Sequence, residues 1–155
     1  MPAETVRVPI QTPMFDESGN LTRTWVLFFE RLFRGGDSYT VTWGVGIGAN
    51  VAVGTDVAPH YLVPREGTAV KATATAKTWP EGGDVRIDIL AKRPGKRAAS
   101  IFGERKLVIS ADHTDDVERP LSYGLAEGDL LTLDVLSAGA SVPGKDITVQ
   151  LTIET

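Results

Sequence analysis

The apolar positions of this chain change their period once. Between Thr22 and Phe33, the residues Trp25, Phe28, Phe29, Leu32 and Phe33 fall at the i, i+3, i+4, i+7, i+8 spacing of one helical face. Thr22 stands where an N-cap belongs, and Gly35-Gly36 where helices usually stop, so a helix is predicted over residues 21–34. So short a helix is not stable alone in water. Burying five large apolar side chains is worth roughly 8–15 kcal/mol gross, at about 1.5–3 kcal/mol each. The face is therefore predicted to dock, either on the rest of this chain or on a neighbouring subunit.

After Ser38 the period becomes two. Tyr39, Val41 and Trp43 alternate with Thr40 and Thr42; Val70, Ala72, Ala74 and Ala76 alternate with Lys71, Thr73 and Thr75. Val85, Ile87 and Ile89, then Leu131, Leu133 and Val135, then Ile147, Val149, Leu151 and Ile153, repeat the pattern. Strands with one apolar face belong to packed antiparallel sheets. Turn chemistry recurs between them at Pro80-Glu-Gly-Gly83, Pro94-Gly95, Glu127-Gly-Asp129 and Pro143-Gly144. The pattern predicts a mainly β chain: an antiparallel β-sandwich, jelly-roll or Greek-key like, preceded by one short amphipathic α-helix. Residues 1–36 form a lead-in and docking helix, and residues 37–155 the sandwich. In the lead-in, Val6, Val8 and Ile10 alternate, Pro9 and Pro13 restrict that segment to an edge or to irregular chain, and Phe15–Asn20 is turn chemistry.

Composition narrows the class. With 155 residues, 42% hydrophobic and 23% charged, the chain can bury one ordinary core. A net charge of −4 is the wrong sign for a nucleic-acid binder, and the basic run Lys92–Arg97 centres on Pro94-Gly95, as a solvated hairpin tip does. The chain has no cysteine, hence no disulfide or thiolate metal site. The N-terminus carries no signal-peptide pattern and no apolar run approaches a membrane span, so cytosolic synthesis and no membrane partner are expected.

Candidate chemistry is sparse. The Gly44–Gly54 stretch contains a GxGxG, but it leads into Val51-Ala-Val53, with no helix behind it to cradle a phosphate, so a bulged strand pair is expected. His60 and His113 are far apart and no Gly-x-Ser-x-Gly elbow accompanies them. Asp112, His113, Asp115 and Asp116 lack the ligand ladder of a calcium loop. Asp84, Asp88 and Asp134 fall at polar strand positions or a strand start, where solvent-facing acids are expected. Trp43, Tyr61, Trp79 and Tyr123 are the candidate platforms for a bound sugar, if the fold exposes them. No catalytic residue, cofactor or metal ion is predicted.

Two stretches carry a resemblance. The first runs from Pro9 to Leu32: a proline-bearing lead-in, the turn Glu17-Ser-Gly-Asn20, Leu21-Thr22, Trp25 and the pair Phe28-Phe29. The second comprises Gly54-Thr-Asp-Val-Ala-Pro59 through Pro64, then Ala76-Lys-Thr-Trp-Pro80, Ile87-Asp-Ile-Leu90 and Ser100-Ile-Phe102. It closes with Gly128–Val135 and Pro143–Leu151. Together they are similar to structural proteins of tailed bacteriophages, whose tails, baseplates and fibres contain such a β-sandwich module. The resemblance implies a non-enzymatic virion component, in several copies, partnered by other virion proteins through the helix. It sits most naturally in the tail tip, baseplate or fibre-attachment region. Two alternatives go with it: a receptor module for a host surface glycan, and a capsid-surface protein. Where the family has a short turn, Ala91–Ala98 is longer and basic, which gives this hairpin a role of its own.

Overall fold

The computed structural model describes residues 12–34, 38–111 and 114–155, with the side chains of residues 28 and 30–34 excluded. The expectations for Val6, Val8 and Ile10, for Gly35 and Gly36, and for Asp112 and His113 lie outside the described residues. The chain divides into two compact units, Met1–Asp37 and Ser38–Thr155.

In the first unit, α1 spans Arg23–Arg34. Ahead of it the chain folds back on itself. The Asp16 carboxylate accepts the amides of Ser18 and Asn20, both at 2.9 Å, and Phe15 bridges Leu21. Thr22 holds the N-cap position, its carbonyl accepting the amides of Trp25 and Val26, while its hydroxyl donates to the Pro13 carbonyl. Among the described residues no helix is long and apolar enough to cross a membrane.

Among the described residues the second unit has nine strands: β1 Ser38–Asn50, β2 Tyr61–Leu62, β3 Gly67–Thr78, β4 Val85–Lys92, β5 Ala99–Ser100, β6 Leu107–Ile109, β7 Val117–Leu125, β8 Leu130–Ser137 and β9 Lys145–Glu154. They form two antiparallel sheets, ordered β1-β9-β3-β7 and β2-β8-β4-β5. β6 also pairs β4, at Val85–Ile87, while β5 pairs it at Leu90 and Ala91. β8 pairs β4 along most of its length, so β5 and β6 together form one interrupted strand on the remaining edge. Taking that pair as one, the orders become 1-8-3-6 and 2-7-4-5, the connectivity of a jelly roll. The expected sandwich is present, and its topology selects the jelly roll.

The core lies between the sheets. Ile147, Val149, Leu151 and Ile153 of β9 are fully buried, as are Ile87 and Ile89 of β4 and Leu131 and Leu133 of β8. Alternation supplies this directly, since residues i and i+2 share a face. Among the described residues the register shifts at three places: in β3, in β1, and between Arg86 and Ile87 of β4, where Leu136 of β8 has no partner. Val70 has no partner on β9, because the register steps from Ala69↔Ile153 to Lys71↔Thr152. The buried set on β3 is therefore Ala69, Ala72, Ala74 and Ala76, and Val70, expected on the inner face, is displaced from it. In β1 the register with β9 shifts between Val45 and Asn50. Gly46 takes φ 62° there, and a Cβ on it would lie 2.9 Å from Val51. The Gly-rich stretch is a bulged strand end.

Candidate functional site

The N-terminal docking residues fall on one helix. Trp25 and Phe29 are half-buried and their rings pair, with centroids 5.7 Å apart. The Trp25 indole Nε1–H donates to the Thr12 carbonyl at 2.8 Å, fixing the lead-in beneath the helix. Phe28, Leu32 and Phe33 belong to α1, but their side chains lie outside those described. Phe15, Leu21, Val26 and Leu27 are exposed, Phe15 by 56%. These exposed apolar residues were not among those that helical periodicity selected.

The four candidate platform aromatics do not form one surface. Trp43 is 3% exposed and part of the core, with its indole N–H donating to the Pro59 carbonyl at 3.0 Å. It cannot meet a ligand, and the alternation that placed Val41 inside already placed Trp43 beside it. Trp79, Tyr61 and Tyr123 are partly buried and pack against the core.

Register explains where the tyrosines go. Tyr39, Ile153, Ala69 and Tyr123 form one row across the four-stranded sheet, with Tyr39 and Tyr123 on its two edge strands. In the five-stranded sheet, Tyr61, Leu131, Ala91 and Ala99 form another row. At one flank Tyr39 and Tyr61 meet across the gap, centroids 6.5 Å apart, with the Arg65 guanidinium 5.7 Å from the Tyr39 ring centre. Among the described residues the buried Tyr39 hydroxyl has no hydrogen-bond partner; burial pushes its pKa up, Tyr61 adds to this and Arg65 opposes it.

The opposite flank has a tyrosine on one sheet only. Tyr123 faces Ala91 and Ala99, and a cavity of about 210 Å³ remains, lined also by Gly124, Arg93, Lys96, Arg97 and Asp129. The basic hairpin between β4 and β5 thus forms its rim. Arg93 is not solvated alone. Its Nε and Nη2 each donate to the Asp129 carboxylate at 3.1 Å, a two-pronged charge-assisted contact. Asp129 is 1% exposed and also accepts the Ala126 amide at 2.9 Å, closing the β7–β8 turn. The hairpin is thereby anchored to that turn.

The Arg93 hydrogen bond holds the Asp129 carboxyl below its ordinary value of 3.8, burial opposes this and the Ala126 amide helps it. Since the folded-state value lies below the unfolded one, the stabilisation is complete above pH 3.8. It is lost as pH falls through the depressed folded value. Asp129→Asn is expected to be less stable than the parent at neutral pH and to lose less on acidification. Thermal melts stepped down through the carboxylate range (about pH 4 and below) check this; parallel curves for the two proteins would remove Asp129 from the account.

The remaining acids correct the sequence reading. Asp88 and Asp134 are 5% and 7% exposed, not solvent-facing. They stand directly opposite one another in the β4–β8 register, an arrangement that costs stability unless each charge is met. Lys106 Nζ lies 2.6 Å from Asp88 Oδ2, and the Ser100 hydroxyl donates to Asp88 Oδ1 at 2.6 Å. Lys106 also donates to Ser100 at 2.8 Å, so the network ties β4, β5 and the approach to β6. Asp134 accepts the Asp56 amide at 2.7 Å. Asp84 is half-buried and accepts the Ala111 amide. The Asp56 loop and the Ser100–Lys106 segment meet Asp134 and Asp88, and beside them Asp84, Arg86 and Lys106 line an open groove of about 570 Å³. His60 is exposed and paired with the Asp56 carboxylate at 2.6 Å. Among the described residues no group of three or more His, Asp or Glu is placed to hold a metal ion.

No family model matches the chain, and no curated protein sequence matches it. Among solved structures, the globular domain of zebrafish complement 1qA protein is similar at 8% identity and a TM-score of 0.44, over 76% of this chain and 96% of that one. At that score the likeness adds nothing to the topology described above.

Proposed function

We propose that this chain is a non-enzymatic structural component of a tailed-phage particle, an adaptor in the tail tip, baseplate or fibre-attachment region. The N-terminal unit docks on a neighbouring virion protein through the face of Trp25, Phe28, Phe29, Leu32 and Phe33, and the jelly roll is the body that is attached. The observation that carries this reading is the apolar N-terminal unit: a separate compact unit that contains the half-buried Trp25–Phe29 pair and exposes Phe15, Leu21, Val26 and Leu27. Exposed apolar side chains grouped on so small a unit favour burial against a partner. The resemblance of Pro9–Leu32 to the openings of phage structural proteins supplies the partner class.

Jelly rolls serve in capsids and in lectins alike, so the body's topology does not choose between building and binding. A receptor-binding reading, with a host glycan as ligand, is favoured by one observation only, the cavity beside Tyr123.

Particles assembled with the double variant Trp25→Ala, Phe29→Ala are expected to lack this chain, while the purified variant keeps the sandwich's β-type circular dichroism. Mass spectrometry of purified virions measures the incorporation. A full complement of the variant in the particle overturns the docking role.

A further inference from the structure

We propose that the cavity behind the β4–β5 hairpin binds an acidic sugar, a pyranose ring carrying a carboxylate. The ring packs on Tyr123, and Lys96 and Arg97 hold the carboxylate. The site arises from the asymmetry of the sandwich. Tyr39 and Tyr61 close one flank, whereas Ala91, Ala99 and Gly124 leave a void at the other, with Tyr123 as its aromatic wall. About 210 Å³ accommodates one sugar ring; drug-sized ligands need clefts of about 300–1,000 Å³.

Charge decides the ligand's sign. Asp129 neutralises Arg93, and that pair fixes the hairpin over the cavity. Among the described residues Lys96 and Arg97 have no ion-pair partner, and both line the cavity from an exposed turn. Two unneutralised cations therefore converge at one point of a chain whose net charge is −4. Arg97 presents a planar donor fork suited to a carboxylate, and Lys96 a mobile point charge. An aromatic wall opposite a cationic rim fits a ligand with an apolar ring face and an anionic edge, which a bare anion lacks. The inference does not depend on the assembly reading, since it concerns the sandwich in any setting.

The test is calorimetric titration of the full chain with three probes: a tetramer of galacturonic acid, the same tetramer as its methyl ester, and inorganic phosphate. The acidic tetramer is expected to bind saturably and more weakly as salt rises. The ester is expected to bind about tenfold more weakly, as is the acid to the Lys96→Gln, Arg97→Gln variant, once the charge-assisted contacts are gone. These two substitutions lie on an exposed turn and leave the core intact. Tyr123→Leu, checked by melting, is expected to weaken the tetramer and spare any response to phosphate. Four results overturn the proposal: no saturable binding, equal binding of acid and ester, phosphate binding as tightly as the tetramer, or unchanged affinity in the double Gln variant.

Discussion

Lys106→Ala is expected to destabilise the sandwich by about 3–5 kcal/mol, the cost of leaving a buried charge without its partner. Asp88 is 5% exposed and Lys106 Nζ is its only cationic contact among the described residues, at 2.6 Å. Without it the carboxylate keeps the Ser100 hydroxyl but faces Asp134 across the β4–β8 pair. The loss also strikes the weakest part of the topology, where two short strands share one edge of β4. Urea unfolding of the full chain measures the change. The double variant Asp88→Leu, Lys106→Met is expected to recover most of it, because removing both charges leaves no buried ion unpaired. A loss below about 1 kcal/mol, the range of an exposed ion pair, would show that Asp88 is met by water instead.

Trp43→Ala is expected to cost a comparable amount, about 3–5 kcal/mol, through the cavity it leaves in the core and the Pro59 carbonyl it orphans. Trp43 pairs with Val149 on the neighbouring strand and belongs to the buried core. Urea midpoints at unchanged slope would report this directly. The contrast with Tyr123 is functional. A residue whose removal unfolds the protein is a poor choice for a ligand wall, whereas one at the rim can be changed at tolerable cost. A midpoint shift no larger than that of an exposed substitution would return Trp43 to the surface.

How much of this was legible in the sequence depended on whether period two survived locally. β4 and β9 alternate throughout, as does β8 as far as Val135, and their inner faces follow from the pattern. β7 escaped notice because Arg119, Pro120 and Gly124 make it look unlike a strand. It forms at a sheet edge, where a proline's missing donor is tolerated. Val70 and Ala69 exchanged places because one unpaired residue reverses the phase of everything before it, and no local composition announces that residue. Asp88 and Asp134 were assigned to solvent by the same alternation. Their parity was right and their burial was not, because the Asp56 loop reaches Asp134 and the Ser100–Lys106 segment reaches Asp88. The cavity at Tyr123 was only half visible. The basic hairpin and the tyrosine each stood out, but the cross-sheet rows that bring them together depend on register.

One flank of the sandwich has a bearing on how the protein behaves in a crowded solution. Free strand edges recruit strands from other molecules, and a chain concentrated in a cell or a particle meets its own copies constantly. On this flank β7 carries Pro120, which has no amide hydrogen to offer, and the facing edge of the other sheet is broken into β5 and β6, pieces of two and three residues. Neither presents the long, even row of donors and acceptors that a stray strand would copy. The same break that makes the fifth strand look imperfect therefore guards against runaway sheet growth, and it leaves recognition on this side to side chains.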